Sequence, residues 1–170
     1  MFQQLITQKN DAMLSGGISF FCLKLGITEE ERALISFEEV KKLDLGTSGT
    51  CAGMYDREGK LIKVHIKVNR YASIIGMLDV LAHELVHARQ HLRGEFYFEK
   101  VPTPIFFGLF KIDLLHKFHK GQNLVKTSYY DRFCEQEAHK VSHDLMVEFL
   151  SLIKIATESK EPMETIVCPI

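Results

Sequence analysis

His83-Glu84-Leu85-Val86-His87 sets two imidazoles four residues apart, with a carboxylate beside the first. Residues four apart share one face of a helix. Both rings can therefore turn a nitrogen toward one metal ion, and zinc accepts such nitrogens at about 2.0–2.1 Å. Glu84 would stand next to that ion, within reach of a water on it, where a carboxylate serves as general base. The chemistry that this spacing allows is metal-assisted hydrolysis.

A catalytic zinc takes three protein ligands and keeps one position for water, so a third donor is required. His91 lies on the same stripe, but eight residues at 1.5 Å rise put it about 12 Å along the axis from His83, too far to close one tetrahedron. A third histidine six residues after His87, as metzincins have, is replaced by Arg93. Further along, DRFCEQEAHKVSHDL puts Glu135, Ala138, His139 and Ser142 on one helical face. The small Ala138 and Ser142 permit close approach to another helix. Glu137 shares its side with Lys140, Val141 and Asp144, and two residues on a helix differ by about 200°, so Glu135 and Glu137 cannot both face one metal.

On these residues the chain resembles the gluzincin metallopeptidases, in which a glutamate on a helix downstream of H-E-x-x-H, in an E-x-x-A-[DN] setting, is the third ligand. The matching stretch is Glu135-Gln136-Glu137-Ala138-His139. The resemblance implies Zn2+ held by His83, His87 and Glu135, with His139 standing where an Asp or Asn usually supports the ligand histidines. Asp144 is an alternative for that support. The pattern is most similar to the small cytosolic gluzincins, including the ImmA/IrrE-like regulatory peptidases. It spans Leu61 to Asp144 and departs from that group after the second helix begins, where AHKVSHDLM replaces an LLMP-like ending. The implied activity is hydrolysis of a protein or peptide substrate. The rival class is a non-catalytic zinc-binding interaction module using the same ligands. A DNA-associated SprT-like protease would want a histidine-rich site and a cysteine ribbon.

Tyr129, Tyr130, Arg132 and His143 bracket Glu135 and could donate to an oxyanion, Tyr130 and His143 being preferred. His116 and His119, among Lys111, Lys117 and Lys120, read as a basic solvated edge. Cys134 points about 100° away from its neighbour Glu135 and reads as a packing thiol.

These side chains need a scaffold. A helix from Ser73 to Arg93 carries the motif, with Arg89, His91 and Arg93 in its last turns and Gly94 after it. A second helix, from about Asp131 to Ile155, carries Glu135. Ahead of them, LIKVHIKV (61–68) alternates as a strand, with shorter runs at 33–40 and 50–56; the last of these pairs with it as an antiparallel hairpin around Gly59. If 61–68 lies at the sheet edge, it can pair with an extended substrate. The N-terminal stretch 2–25 reads as a helix broken or bent at Gly16-Gly17. The proline-punctuated apolar run around IFFGLF reads first as core, with a cleft cap or dimer contact as alternatives, and the tail as irregular. The expected architecture is a single α+β domain over 1–170: a small antiparallel sheet packed against the two helices, zincin-like.

Composition agrees. With 170 residues, 46% of them hydrophobic, the chain can bury a core without disulfides. Its four cysteines show no C-x-x-C pairing. A formal net charge of −1 gives no general field for nucleic acid. No stretch approaches the ~18 apolar residues of a membrane span, and no signal peptide is visible. The expected setting is cytoplasmic, and nothing in the pattern indicates an oligomeric state.

Overall fold

The alternation in LIKVHIKV has the consequence its period demands: strand β3 (Leu61–Asn69) turns Val64, Ile66 and Val68 inward, at 0, 0 and 4% exposure. The computed structural model describes residues 2–41, 43, 47–70, 73–105 and 110–158. Preceding β3 are helix α1 (Phe2–Lys24), the single turn α2 (Glu29–Arg32), and strands β1 (Ile35–Val40) and β2 (Gly49–Tyr55). Following it are helix α3 (Ile74–Leu92), strands β4 (Phe96–Ile105), β5 (Phe110–His119) and β6 (Gln122–Asn123), a 3-10 turn at Tyr129–Asp131, and helix α4 (Phe133–Glu158).

The first sheet has the order β1-β3-β2. β2 and β3 form the expected antiparallel hairpin, its turn held by Asp56, whose side chain accepts the backbone N–H groups of Glu58 (2.9 Å) and Lys60 (2.8 Å). β1, however, runs parallel to β3, with Ile35 opposite Val64. The sheet is therefore mixed rather than antiparallel, and β3 is central rather than at an edge. Val64, Ile66 and Val68 explain the placement: they need neighbours on both sides to be fully covered.

α3 lies between this sheet and the other long helices. Leu78, Leu81, Ala82, Leu85, Val86 and Ala88 are all at most 3% exposed and share a core with Phe21 of α1, Ile66 of β3, and Ala138, Leu145, Met146 and Phe149 of α4. α1 does not break at Gly16-Gly17. Gly17 sits where α1 crosses α3, and a Cβ there would run into Leu78 and lie 3.4 Å from the Phe149 ring. The lost helix propensity, about 1 kcal/mol, is exchanged for a close helix crossing.

A second sheet, β4-β5-β6, was not expected. β4 and β5 form a ten-residue antiparallel ladder in which Pro102 and Pro104 oppose Asp113 and Lys111. β4 is an edge strand, so the missing proline N–H groups interrupt no ladder there. The centre of the apolar run, 106–109, and the tail from 159 lie outside the described residues. Near that run, Ile112, Leu114 and Leu115 are 42, 41 and 64% exposed. His116 and His119 correct the reading of a solvated edge, being 5 and 0% exposed. Asn123 hydrogen-bonds His116 (2.8 Å) and Glu95 pairs with His119 (3.1 Å). Cys134 is 2% exposed in a small cluster with Phe96 and Leu124, as a packing thiol should be. No described helix is long and apolar enough to cross a membrane.

Candidate metal centre

Two helix ends set the geometry. α3 opens at Ser73, whose hydroxyl accepts the Gly76 N–H (3.1 Å), and closes before Gly94 at φ 66°. α4 is anchored at its start by Gln122 of β6, which accepts from the Phe133 N–H (2.8 Å) and donates to the Asp131 carbonyl (2.9 Å). Ala138 and Ser142, 0 and 6% exposed, form the α4 side of the helix contact. Glu135, one turn earlier on that face, is thereby aimed at the histidine pair of α3.

The three donors form a compact triangle. Nε2 of His87 lies 3.2 Å from Nε2 of His83 and 3.2 Å from Oε2 of Glu135, and the His83–Glu135 side measures 3.5 Å. Tetrahedral ligands at about 2.0–2.1 Å from one ion stand roughly 3.3 Å apart, so this donor set fits zinc. Its chemistry also fits, since two imidazoles and a carboxylate leave a fourth position open.

Burial and mutual charge shape the protonation of this cluster. For Glu135 burial works against ionisation, but its hydrogen bonds to His83 and His87 outweigh burial and hold it well below the usual carboxylate range. Burial likewise disfavours charge on His87, yet Glu135 outweighs it and raises the imidazole pKa. Glu84 is 6% exposed, and burial pushes its carboxyl upward against the pull of His87 and His83. It is packed under β2, where a Cβ at Gly49 would come within 2.7 Å of its Oε1.

The support for His87 comes from a residue that the sequence reading missed. Gln90 is fully buried, and its Oε1 accepts from Nδ1 of His87 at 2.8 Å, leaving Nε2 free to face the other donors. The Gln90 amide in turn donates to Glu137 (3.0 Å) and to the Cys134 carbonyl (3.3 Å). Glu137 is tied to Arg89 and to Lys120. Its face thus points away from the donor triangle, as its helical position implies.

The remaining candidates are distributed less neatly. His139 does not take the supporting place. Its ring lies tilted against His83 with centroids 4.6 Å apart, and donors of His83, Glu135 and His139 all lie within 4.8 Å of one another. Asp144 is exposed. Tyr130 is 81% exposed and packs edge-on against Tyr129; it is Tyr129 whose phenol is the nearer to Glu135, and burial together with that carboxylate raises the phenol pKa. His143 shares a pocket with His83 and Ser142. His91 is a neutral core residue, 3% exposed and 2.6 Å from the Tyr55 hydroxyl; burial and Lys117 lower its pKa to about 3. A second acidic cluster, Glu95, His119 and Glu137, already holds a cation, because Nζ of Lys120 lies 3.1 Å from Glu95 and 3.3 Å from Glu137.

Compared with protein-family models, curated proteins and solved structures, the chain matches none.

Proposed function

We propose that this chain is a zinc-dependent metallopeptidase of gluzincin type, holding one ion with His83, His87 and Glu135. The observation that carries the reading is the donor triangle with sides of 3.2, 3.2 and 3.5 Å beside a buried carboxylate. Zinc held there would lower the pKa of water toward neutrality and polarise a peptide carbonyl. Glu84, kept basic by burial, takes the water's proton and returns it to the departing amine. Gln90 holds the His87 ring in the tautomer that ligation needs. Tyr129, at Glu135, is the better-placed phenol for an oxyanion than Tyr130. With β3 central, β1 and β2 are both edges, and the one beside the site, where an extended substrate could pair, is β2, whose Gly49 lies against Glu84.

The test is Glu84→Gln in zinc-loaded protein, offered casein or a complex peptide digest with new termini read by mass spectrometry. The wild type should release products and Glu84→Gln should retain about one zinc per chain while losing at least about a hundredfold in rate. Equal rates would remove Glu84 from the chemistry. A second reading has its own support in the nearness of His139: if that imidazole joins the ion, four protein ligands close the site and the chain is a zinc-binding interaction module. X-ray absorption on the same sample counts the imidazoles; two fit the peptidase and three fit the module.

A further inference from the structure

On the His87 side of the donor triangle lies a pocket of about 310 Å³, with His87 and Glu135 in its wall. Phe96 and Leu124 give it an apolar lining, and two cations enter it, Lys117 from β5 and Arg132 from the turn before α4. Neither cation forms an ion pair among the described residues. Lys117 rests its Nζ 4.0 Å above the Phe96 ring. Arg132 spends its Nε on the Thr127 carbonyl (3.3 Å), which leaves the two terminal nitrogens of its fork.

The other titratable groups in the wall do not answer this charge. His91 stays neutral, since burial and Lys117 depress it, and burial keeps the Cys51 thiol protonated. Glu135 is the one anion lining the pocket, and on the reading above its charge is committed to the ion. Burial draws Lys117 below the ordinary lysine range. Two underpaired cations in a partly apolar pocket call for an anion, and the anion an unmodified peptide brings to such a pocket is a carboxylate.

We propose that this pocket binds a substrate carboxylate through Lys117 and Arg132, so that cleavage falls at a bond flanked by an acidic side chain or by the peptide's own C-terminus. The proposal rests on the peptidase reading, but binding tests it apart from hydrolysis. The protein is zinc-loaded Glu84→Gln, and the probes are dansylated alanine pentapeptides, blocked at both ends, with glutamate, glutamine or lysine at the centre. Dansylated trialanine, as free acid and as amide, completes the set. The glutamate peptide or the free acid should bind at least about tenfold tighter than its neutral counterpart, the step expected of a charge-assisted hydrogen bond. Glutamate alone identifies the side chain as the source, and the free acid alone identifies the terminus. Adding Lys117→Met or Arg132→Gln should cut the preference to about twofold or less while the affinity for the glutamine peptide is unchanged, which also shows that the variant is folded. Equal binding of charged and neutral probes overturns the proposal. So does a preference that survives both substitutions, since the carboxylate is then going to the metal. Wild-type digestion of the same peptides separates the two readings: a Lys117- and Arg132-dependent preference without cleavage rejects the peptidase and keeps the pocket, and cleavage without preference does the reverse.

Discussion

Gln90 lies three residues beyond His87, buried completely, and its two polar ends are both committed: the carbonyl to His87 and the amide to Glu137. Removing the carbonyl leaves His87 free to rotate or change tautomer. Gln90→Leu should therefore lower zinc affinity by roughly 10- to 100-fold, while Glu135→Ala, which deletes a donor, should cost more and Glu137→Ala less. Competition with a chromophoric chelator gives all three constants, and an unchanged Gln90→Leu would make the hydrogen bond irrelevant to the site. His83, Glu84 and His87 could be picked out because helical spacing decides which side chains share a face, and Glu135 because the resemblance to an E-x-x-A-[DN] setting pointed to it as well. Gln90 obeys the same spacing, yet glutamine is an ordinary surface residue and only the arrival of α4 buries it. Tyr129 and Tyr130 are neighbours with the same chemistry, so choosing between them needed the conformation of one turn. Lys117 and Arg132 reach their pocket from different elements, and local pattern carries nothing of that kind.

Strand β2 and helix α3 show how an element is placed by what it lacks. Gly49, Cys51 and Gly53 alternate along β2 on the side facing α3, and a Cβ at Gly53 would stand 2.5 Å from Nδ1 and 3.0 Å from Cγ of His91. An imidazole that is 3% exposed cannot step aside. Gly53→Ala should therefore destabilise the fold by about 1–3 kcal/mol in urea unfolding, despite alanine's lower backbone entropy. Ala52→Val, on the exposed face of the same strand, should change stability by less than about 0.5 kcal/mol. A neutral Gly53→Ala would mean that strand and helix are farther apart than the structure has them. The small residues at every second position of GTCAG take on their meaning only once β2 is seen to pack on α3. The hairpin of β4 and β5 was harder to read, because its two prolines suggest a loop until the strand is known to lie at an edge. The direction of β1 is likewise a matter of connection and not of local sequence.

Across the whole molecule, the burial of His91 and His119 links the fold to pH. Both are held below the ordinary histidine range chiefly by burial, His91 to about 3. A histidine depressed in the folded state binds its proton more readily when unfolded, so its contribution is complete above the unfolded value of about 6.5 and is lost as pH falls toward the folded one. His87 has the opposite sign, because its pKa is raised: in metal-free protein its contribution is present below about 6.5 and disappears as pH rises. The two effects separate by substitution, since His87 is common to wild type and to His91→Gln. With 6.5 unfolded and about 3 folded, His91 alone should remove about 2 kcal/mol between pH 7 and pH 5. Urea unfolding of both proteins at the two pH values, with a chelator present, gives the difference of slopes. His91→Gln should be the less stable protein at pH 7, having lost packing against Tyr55 and Phe96, and should lose about 2 kcal/mol less than wild type on acidification. Parallel losses in the two proteins would show that His91 is protonated in the native state and that its pocket floor is charged.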